Sequence, residues 1–277
     1  MSKQILEELF DLSGKVAVVT GGGGILCGEM SRALGRMGVK VVVLDIGLEA
    51  AEAVAEEIQE AGGEAMAVKC DVLDKDQIRE AADKVVEAYG RVDILINGAG
   101  GNRSEATTSE EVPFFDLPED AVRWVFNLNF LGTFLCCQVF GRLMAEQGEG
   151  VILNTASMTA LRPLTKVPAY GAAKAAVTNF TEWLAVHMAQ EYSADIRVNA
   201  VAPGFFLTTQ NRYLLIDEET GDLTPRGQTI IDHTPMERFG EPEDLIGTMA
   251  YLLSPGASLV SGIVVPVDGA FSAFSGV

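Results

Sequence analysis

Seven short β-prone segments punctuate this chain, and most are apolar throughout rather than alternating. They fall at 15–20, 40–45, 64–71, 91–97, 150–157, 195–203 and 262–268, with KVAVVT and KVVVLD as the clearest cases. A strand with one face in water alternates apolar and polar residues, whereas one apolar throughout is covered on both faces. Helical periods fall between these segments, near 26–37, 49–62, 75–89, 119–147, 168–190 and 241–253. Regular strand–helix alternation with right-handed crossovers gives a doubly wound α/β fold, a parallel sheet with helices on both faces. No linker or internal repeat interrupts 1–277, so a single domain is predicted. The stretch around 205–240 breaks the alternation and is rich in polar and turn residues, among them Thr220, Gly221, Asp222, Pro225 and Gly227. A long insertion after a strand end is where substrate lids sit.

Asp and Glu number 39 against 20 Lys and Arg, a net charge of −19. Nucleic acid and anionic membrane surfaces need clustered cations, so neither is an expected partner. The N-terminus has neither the apolar stretch nor the small-residue cleavage site of a signal peptide. No 18-residue window reads as a membrane span. Cys27, Cys70, Cys136 and Cys137 match no metal-ligand spacing and are too sparse for a disulfide scaffold. His187 and His233 read as structural or surface residues, and no metal is expected. A cytoplasmic location is the simplest reading.

The first strand runs straight into Thr20-Gly21-Gly22-Gly23-Gly24 and then a helix. Glycines let backbone approach a pyrophosphate, and the helix start offers free N–H groups to an anion. The second strand ends in Asp45. A carboxylate there accepts both hydroxyls of an adenosine ribose and repels a 2′-phosphate. No Arg or Lys follows it at Ile46, Gly47 or Leu48, so NAD is favoured over NADP.

With these motifs in place the chain resembles the short-chain dehydrogenase/reductase family, a Rossmann-type fold, over nearly its whole length. Asp71-Val72 follows the third strand, where the family's acid contacts adenine. Asn97-Gly98-Ala99-Gly100 resembles the family's Asn-Ala-Ala-Gly, and Asn129-Phe130-Leu131-Gly132 its Asn-x-x-Gly. Ser157 lies thirteen residues before Tyr170, and Tyr170 with Lys174 forms the Tyr-x-x-x-Lys pair. Pro203-Gly204 with Phe206 and Thr208 resembles the loop around the nicotinamide. The resemblance therefore implies cofactor contacts from Gly21, Gly24, Ile25, Leu26, Asp45, Asp71, Val72, Asn97, Gly98, Ala99, Tyr170, Lys174, Pro203, Gly204, Phe206 and Thr208. One departure stands out: the family loop Thr-Gly-x-x-x-Gly-x-Gly places Ile25 and Cys27 where its last two glycines belong. A finer likeness, to the D-mannonate oxidoreductase (fructuronate reductase) subgroup of hexuronate metabolism, rests on several stretches. These are GGGGILC, NGAGGN at 97–102, RPLT at 162–165, FFLT at 205–208, Gln210-Asn211-Arg212 and FSAFSG at 271–276.

Tyr170 and Lys174 are four residues apart and share one helix face. A free Tyr titrates near pH ~10, and a neighbouring ammonium is expected to lower that value and make the phenol a usable acid and base. Ser157 can hydrogen-bond the same substrate oxygen. Asn129 matches the family Asn whose backbone holds a water on a proton path to the Lys. A hexonate carries a carboxylate that an Arg grips bidentately. Arg162, between Ser157 and Tyr170, is the first candidate, followed by Arg212, Arg103 with Asn102, and Lys166. Family precedent implies a homotetramer paired through helices 119–147 and 168–190; the apolar character of the tail 270–277 would let it reach a neighbour's site. Two other enzyme readings share these motifs, a gluconate 5-dehydrogenase and a 3-oxoacyl-carrier reductase. The second expects a basic patch and NADPH, which the charge and Asp45 oppose. A non-catalytic nucleotide-sensing scaffold would need neither Tyr170 nor Lys174.

Overall fold

The computed structural model describes residues 3–208 and 212–276. Gln210 and Asn211 lie outside the described residues. The strands are β1 Val16–Thr20, β2 Lys40–Asp45, β3 Glu64–Lys69, β4 Ile94–Asn97, β5 Gly150–Thr155, β6 Ile196–Pro203 and β7 Val264–Val267. They form one parallel sheet in the order β3-β2-β1-β4-β5-β6-β7. Winding reverses between β1 and β4, and in such sheets the crevice beyond the strand ends at that point is the ligand site.

The helices are α1 Lys3–Phe10, α2 Ile25–Arg36, α3 Leu48–Glu60, α4 Lys75–Tyr89, α5 Glu119–Phe126 and α6 Gly132–Gln147. There follow α7 Met158–Leu161, α8 Pro168–Glu191, α9 Arg212–Leu215, α10 Pro225–Asp232 and α11 Ile246–Leu253. Strand residues divide between two cores. Ala17, Val19, Val41 and Val43 pack with α2, α3 and α11. Val16, Val18, Val42 and Leu44 pack with α4, α6 and α8. Each fully buried Val or Leu contributes about 1.5–3 kcal/mol, so two-sided burial explains why these strands do not alternate.

Three expectations need correction. Helix α1 was not foreseen. The helix at 119–147 is continuous but contains a π-turn over Asn127–Leu131. Glu119–Gln147 also has an 18-residue window of mean hydropathy 1.3, long and apolar enough to cross a membrane, against the expectation that none was. Its apolarity has a different cause here: Cys136, Phe140 and Met144 lie against the sheet.

The segment 205–240 holds α9 and α10. Thr224 caps α10 by accepting from Gly227 N at 3.0 Å, and its hydroxyl donates to Leu214 O at 2.7 Å. Phe206 pairs with Gly240 at its stem. The C-terminal Phe271 packs edge-on against Phe205 of the same chain, with centroids 5.3 Å apart.

Candidate active site

The crevice floor begins where β1 ends. Thr20 Oγ1 accepts from Gly98 N and Ala99 N at 3.1 and 3.2 Å, tying the glycine loop to the end of β4. Gly21 has φ 64°, and a Cβ there would lie 2.8 Å from Ala99 Cα, so both backbone sign and space require glycine. Helix α2 opens at Ile25 behind Gly24, and no side chain caps it. Its first N–H groups face the loop without a side-chain acceptor, as an anion site requires. Asp45 is aimed by two backbone donors: Gly23 N reaches Oδ2 at 3.1 Å and Gly47 N reaches Oδ1 at 2.9 Å. Each oxygen keeps a lone pair for a ribose hydroxyl. Asp71 Oδ1 accepts from Leu73 N at 2.9 Å, and Val72 is buried beside it.

The departure at Cys27 has a partner. A Cβ built on Gly98 would overlap Cys27 Sγ. The chain therefore carries Cys where the family has glycine, and glycine where the family has alanine, so that the bulk moves from one loop to the other. Cys27 is buried, and desolvation pushes its thiol up to about 12. It is an inert packing atom rather than a nucleophile.

Asn97 was expected to serve the cofactor, but its side chain turns into the core. Its Nδ2 donates to Asn154 Oδ1 at 2.9 Å, and Asn154 Nδ2 donates to Thr181 Oγ1 at 2.9 Å. Only its backbone faces the crevice end of β4. Pro203 closes β6, Gly204 N donates to Val267 O at 2.9 Å, and Phe206 is buried. Thr208 O accepts from Arg212 N at 2.9 Å.

The four catalytic candidates converge from three elements. Ser157 lies two residues beyond β5 and caps α7, its Oγ accepting from Thr159 N at 3.3 Å. Pro168 opens α8, whose first turn bears Tyr170 and whose second bears Lys174. Tyr170 and Ser157 share a hydrogen bond that favours the phenolate, but burial outweighs it and raises the phenol above its ordinary value. The expectation of a lowered Tyr170 is thus corrected. The Lys174 ammonium does not touch the phenol. It lies 5.7 Å from the ring centroid and donates to Thr155 O at 2.8 Å. Lys174 is 3% exposed, and desolvation lowers it to about 8. Asn129 sits in the π-turn, a feature common at functional sites. Its Nδ2 donates to Gly101 O at 2.6 Å and its Oδ1 accepts from Gly101 N at 3.1 Å. A Cβ on Gly100 would lie 2.6 Å from Asn129 Oδ1 and 3.3 Å from Lys174 Nζ, so the amide and the ammonium both crowd the space this glycine leaves open. The role of the Thr155 carbonyl as the partner of Lys174 was not anticipated, because only the fold brings the two together.

The proposed substrate residues are exposed. Asn102 Nδ2 donates to Thr107 Oγ1 at 2.9 Å. The Arg103 guanidinium lies 4.0 Å over the Trp124 ring, and Trp124 and Tyr170 pack against the same small cluster. Arg162 donates to Leu161 O at 3.0 Å. Arg212 begins α9.

The glycine loop, Asp45 and the Ser157–Tyr170–Lys174 set all lie at or beyond the C-terminal ends of internal strands or on α8, between β5 and β6. The short chain dehydrogenase family matches residues 15–219. This chain belongs to that family. It is 49% identical to the uncharacterized oxidoreductase UxuB of Bacillus subtilis (strain 168), over 96% of this chain and 98% of that one. A Haemophilus influenzae crystal structure with bound NAD, of a protein provisionally named D-mannonate oxidoreductase, superposes with a TM-score of 0.91. It is 44% identical over 96% of this chain and 98% of that one. The 5-keto-D-gluconate 5-reductase of Escherichia coli (strain K12) is 31% identical over 95% and 98%. As a short-chain dehydrogenase this protein is an oxidoreductase acting on CH–OH groups.

Proposed function

We propose that this dehydrogenase uses NAD to interconvert D-mannonate and D-fructuronate. The joint placement of Ser157, Tyr170 and Lys174, in one chain with the glycine loop and Asp45, carries the redox reading. The 44% identity to the NAD-bound Haemophilus protein over nearly the full length supports the substrate. The residues fit NAD: Asp45 is oriented for a ribose diol, and the loop has no cation for a 2′-phosphate. NAD, when bound, accepts or supplies the hydride.

The protein's own residues handle position and proton. Ser157 and Tyr170 hold the substrate oxygen between them, and Tyr170 exchanges its proton. Raised by burial, the phenol is held in its protonated form, ready to donate to a carbonyl in the reducing direction. Lys174 and Asn129 support a proton route beneath it.

With the purified full chain and NADH, reduced-nicotinamide absorbance should fall faster with D-fructuronate than with 5-keto-D-gluconate. Indifference to every sugar acid, or turnover with NADPH alone, overturns the reading. The same reading makes the protein a cytoplasmic homotetramer. A groove of about 920 Å³ between α4, α6 and α8, lined by Phe134, Phe180 and Trp183, supports pairing through those helices. Light scattering at four times the 29.5 kDa chain mass is the expected result.

A further inference from the structure

Among the described residues, three that are not glycine have a left-handed backbone: Lys166 (φ 74°), Glu237 (φ 56°) and Ala270 (φ 70°). Such a conformation crowds a Cβ, and a long side chain persists there only where its surroundings enforce it. Lys166 lies on the loop joining Ser157 to Tyr170, four residues before the phenol. Thr108 N donates to Lys166 O at 2.8 Å, so the opposing loop that carries Asn102 and Arg103 holds residue 166 in place. Glycine would fit this backbone without strain, yet the chain carries a cation.

Two of the neighbouring cations are already engaged, whereas Arg212, at the start of α9, is exposed as Lys166 is. Arg162 donates to the carbonyl of Leu161, and the Arg103 guanidinium covers the Trp124 ring. The Lys166 ammonium is exposed and has no hydrogen bond or ion pair among the described residues.

Resting on the sugar-acid reading, we propose that Lys166, rather than Arg162, binds the substrate carboxylate at the mouth of the site. The strained backbone fixes where the stem leaves the loop, and the ammonium supplies a charge partner that the loop itself leaves unmet.

The test compares K166M, K166G, K166R and R162A in the full chain, with NADH and either D-fructuronate or its uncharged counterpart D-fructose. K166M should raise KM for D-fructuronate by about 10-fold or more, with a smaller change in kcat. The preference for the acid over the ketose should fall by the same factor, and K166R should restore most of it. K166G relieves the backbone strain, so its Tm should stand at or above that of the wild type while KM rises as in K166M. That combination separates substrate binding from folding. Retention of the acid preference in K166M and K166G, or its loss in R162A alone, overturns the proposal. A wild-type protein with no preference for D-fructuronate over D-fructose fails the sugar-acid reading itself, and the assignment of Lys166 falls with it.

Discussion

The floor of the crevice and its rim are built in opposite ways. On the floor, Thr20, Asp45, Asn129 and Lys174 each bond to backbone of another loop or strand, so each is fixed by the fold. On the rim, Asn102, Arg103, Arg162 and Lys166 are exposed and stand on loops that bond mainly to one another. A floor assembled this way is held rigid by the fold, whereas the exposed rim can change charge at small structural cost.

That contrast is sharpened first at Tyr170. Y170F should lower kcat by roughly 10²–10⁴-fold while NADH still binds, read by steady-state rates and fluorescence titration. In the wild type, burial of the phenol should push the oxidation limb to alkaline pH, with reduction persisting at neutrality. An oxidation rate already maximal at pH 7 would count against a raised phenol.

Next is the pair beneath the cradle. G98A should overlap Cys27 and cost about 1–3 kcal/mol, seen as a lower Tm and weaker NADH binding. The double change C27G/G98A should recover most of that loss. Purely additive effects would mean that the two residues are not matched.

A stability effect of comparable size is expected at Lys174. Its folded value, about 8, lies below its ordinary 10.5. The burial penalty is therefore fully present below pH 8 and fades as pH rises through 10.5, because the unfolded chain binds the extra proton in that window. K174M should gain on the order of 1–3 kcal/mol at pH 7 and lose that advantage toward pH 10.5, with activity abolished. Thermal melts across that range check the sign.

The smallest effect belongs to the rim. R162A should change stability by less than about 0.5 kcal/mol, as expected for an exposed side chain bonded only to its neighbour's carbonyl. A larger drop in Tm would place Arg162 with the floor.

Strand positions, the glycine loop, Asp45 and the spacing of Ser157, Tyr170 and Lys174 were legible in the sequence, because periodicity and short-range spacing are local properties. The same local reading missed α1 and the π-turn, and it found no apolar window in a helix whose composition answers to burial against the sheet. Nor could it show that the register of β4 and β5 pairs the Asn97 side chain with Asn154. Two matters belonged to the tertiary structure alone. One is why cysteine is tolerated at 27, which follows from the space left at Gly98, 71 residues later in the chain. The other is which cation near Tyr170 remains available, since partners such as Trp124 and a donor such as Thr108 are brought to that mouth only by folding. Sequence spacing fixes what shares a helix face or a strand end, while contacts across the chain depend on how the layers pack.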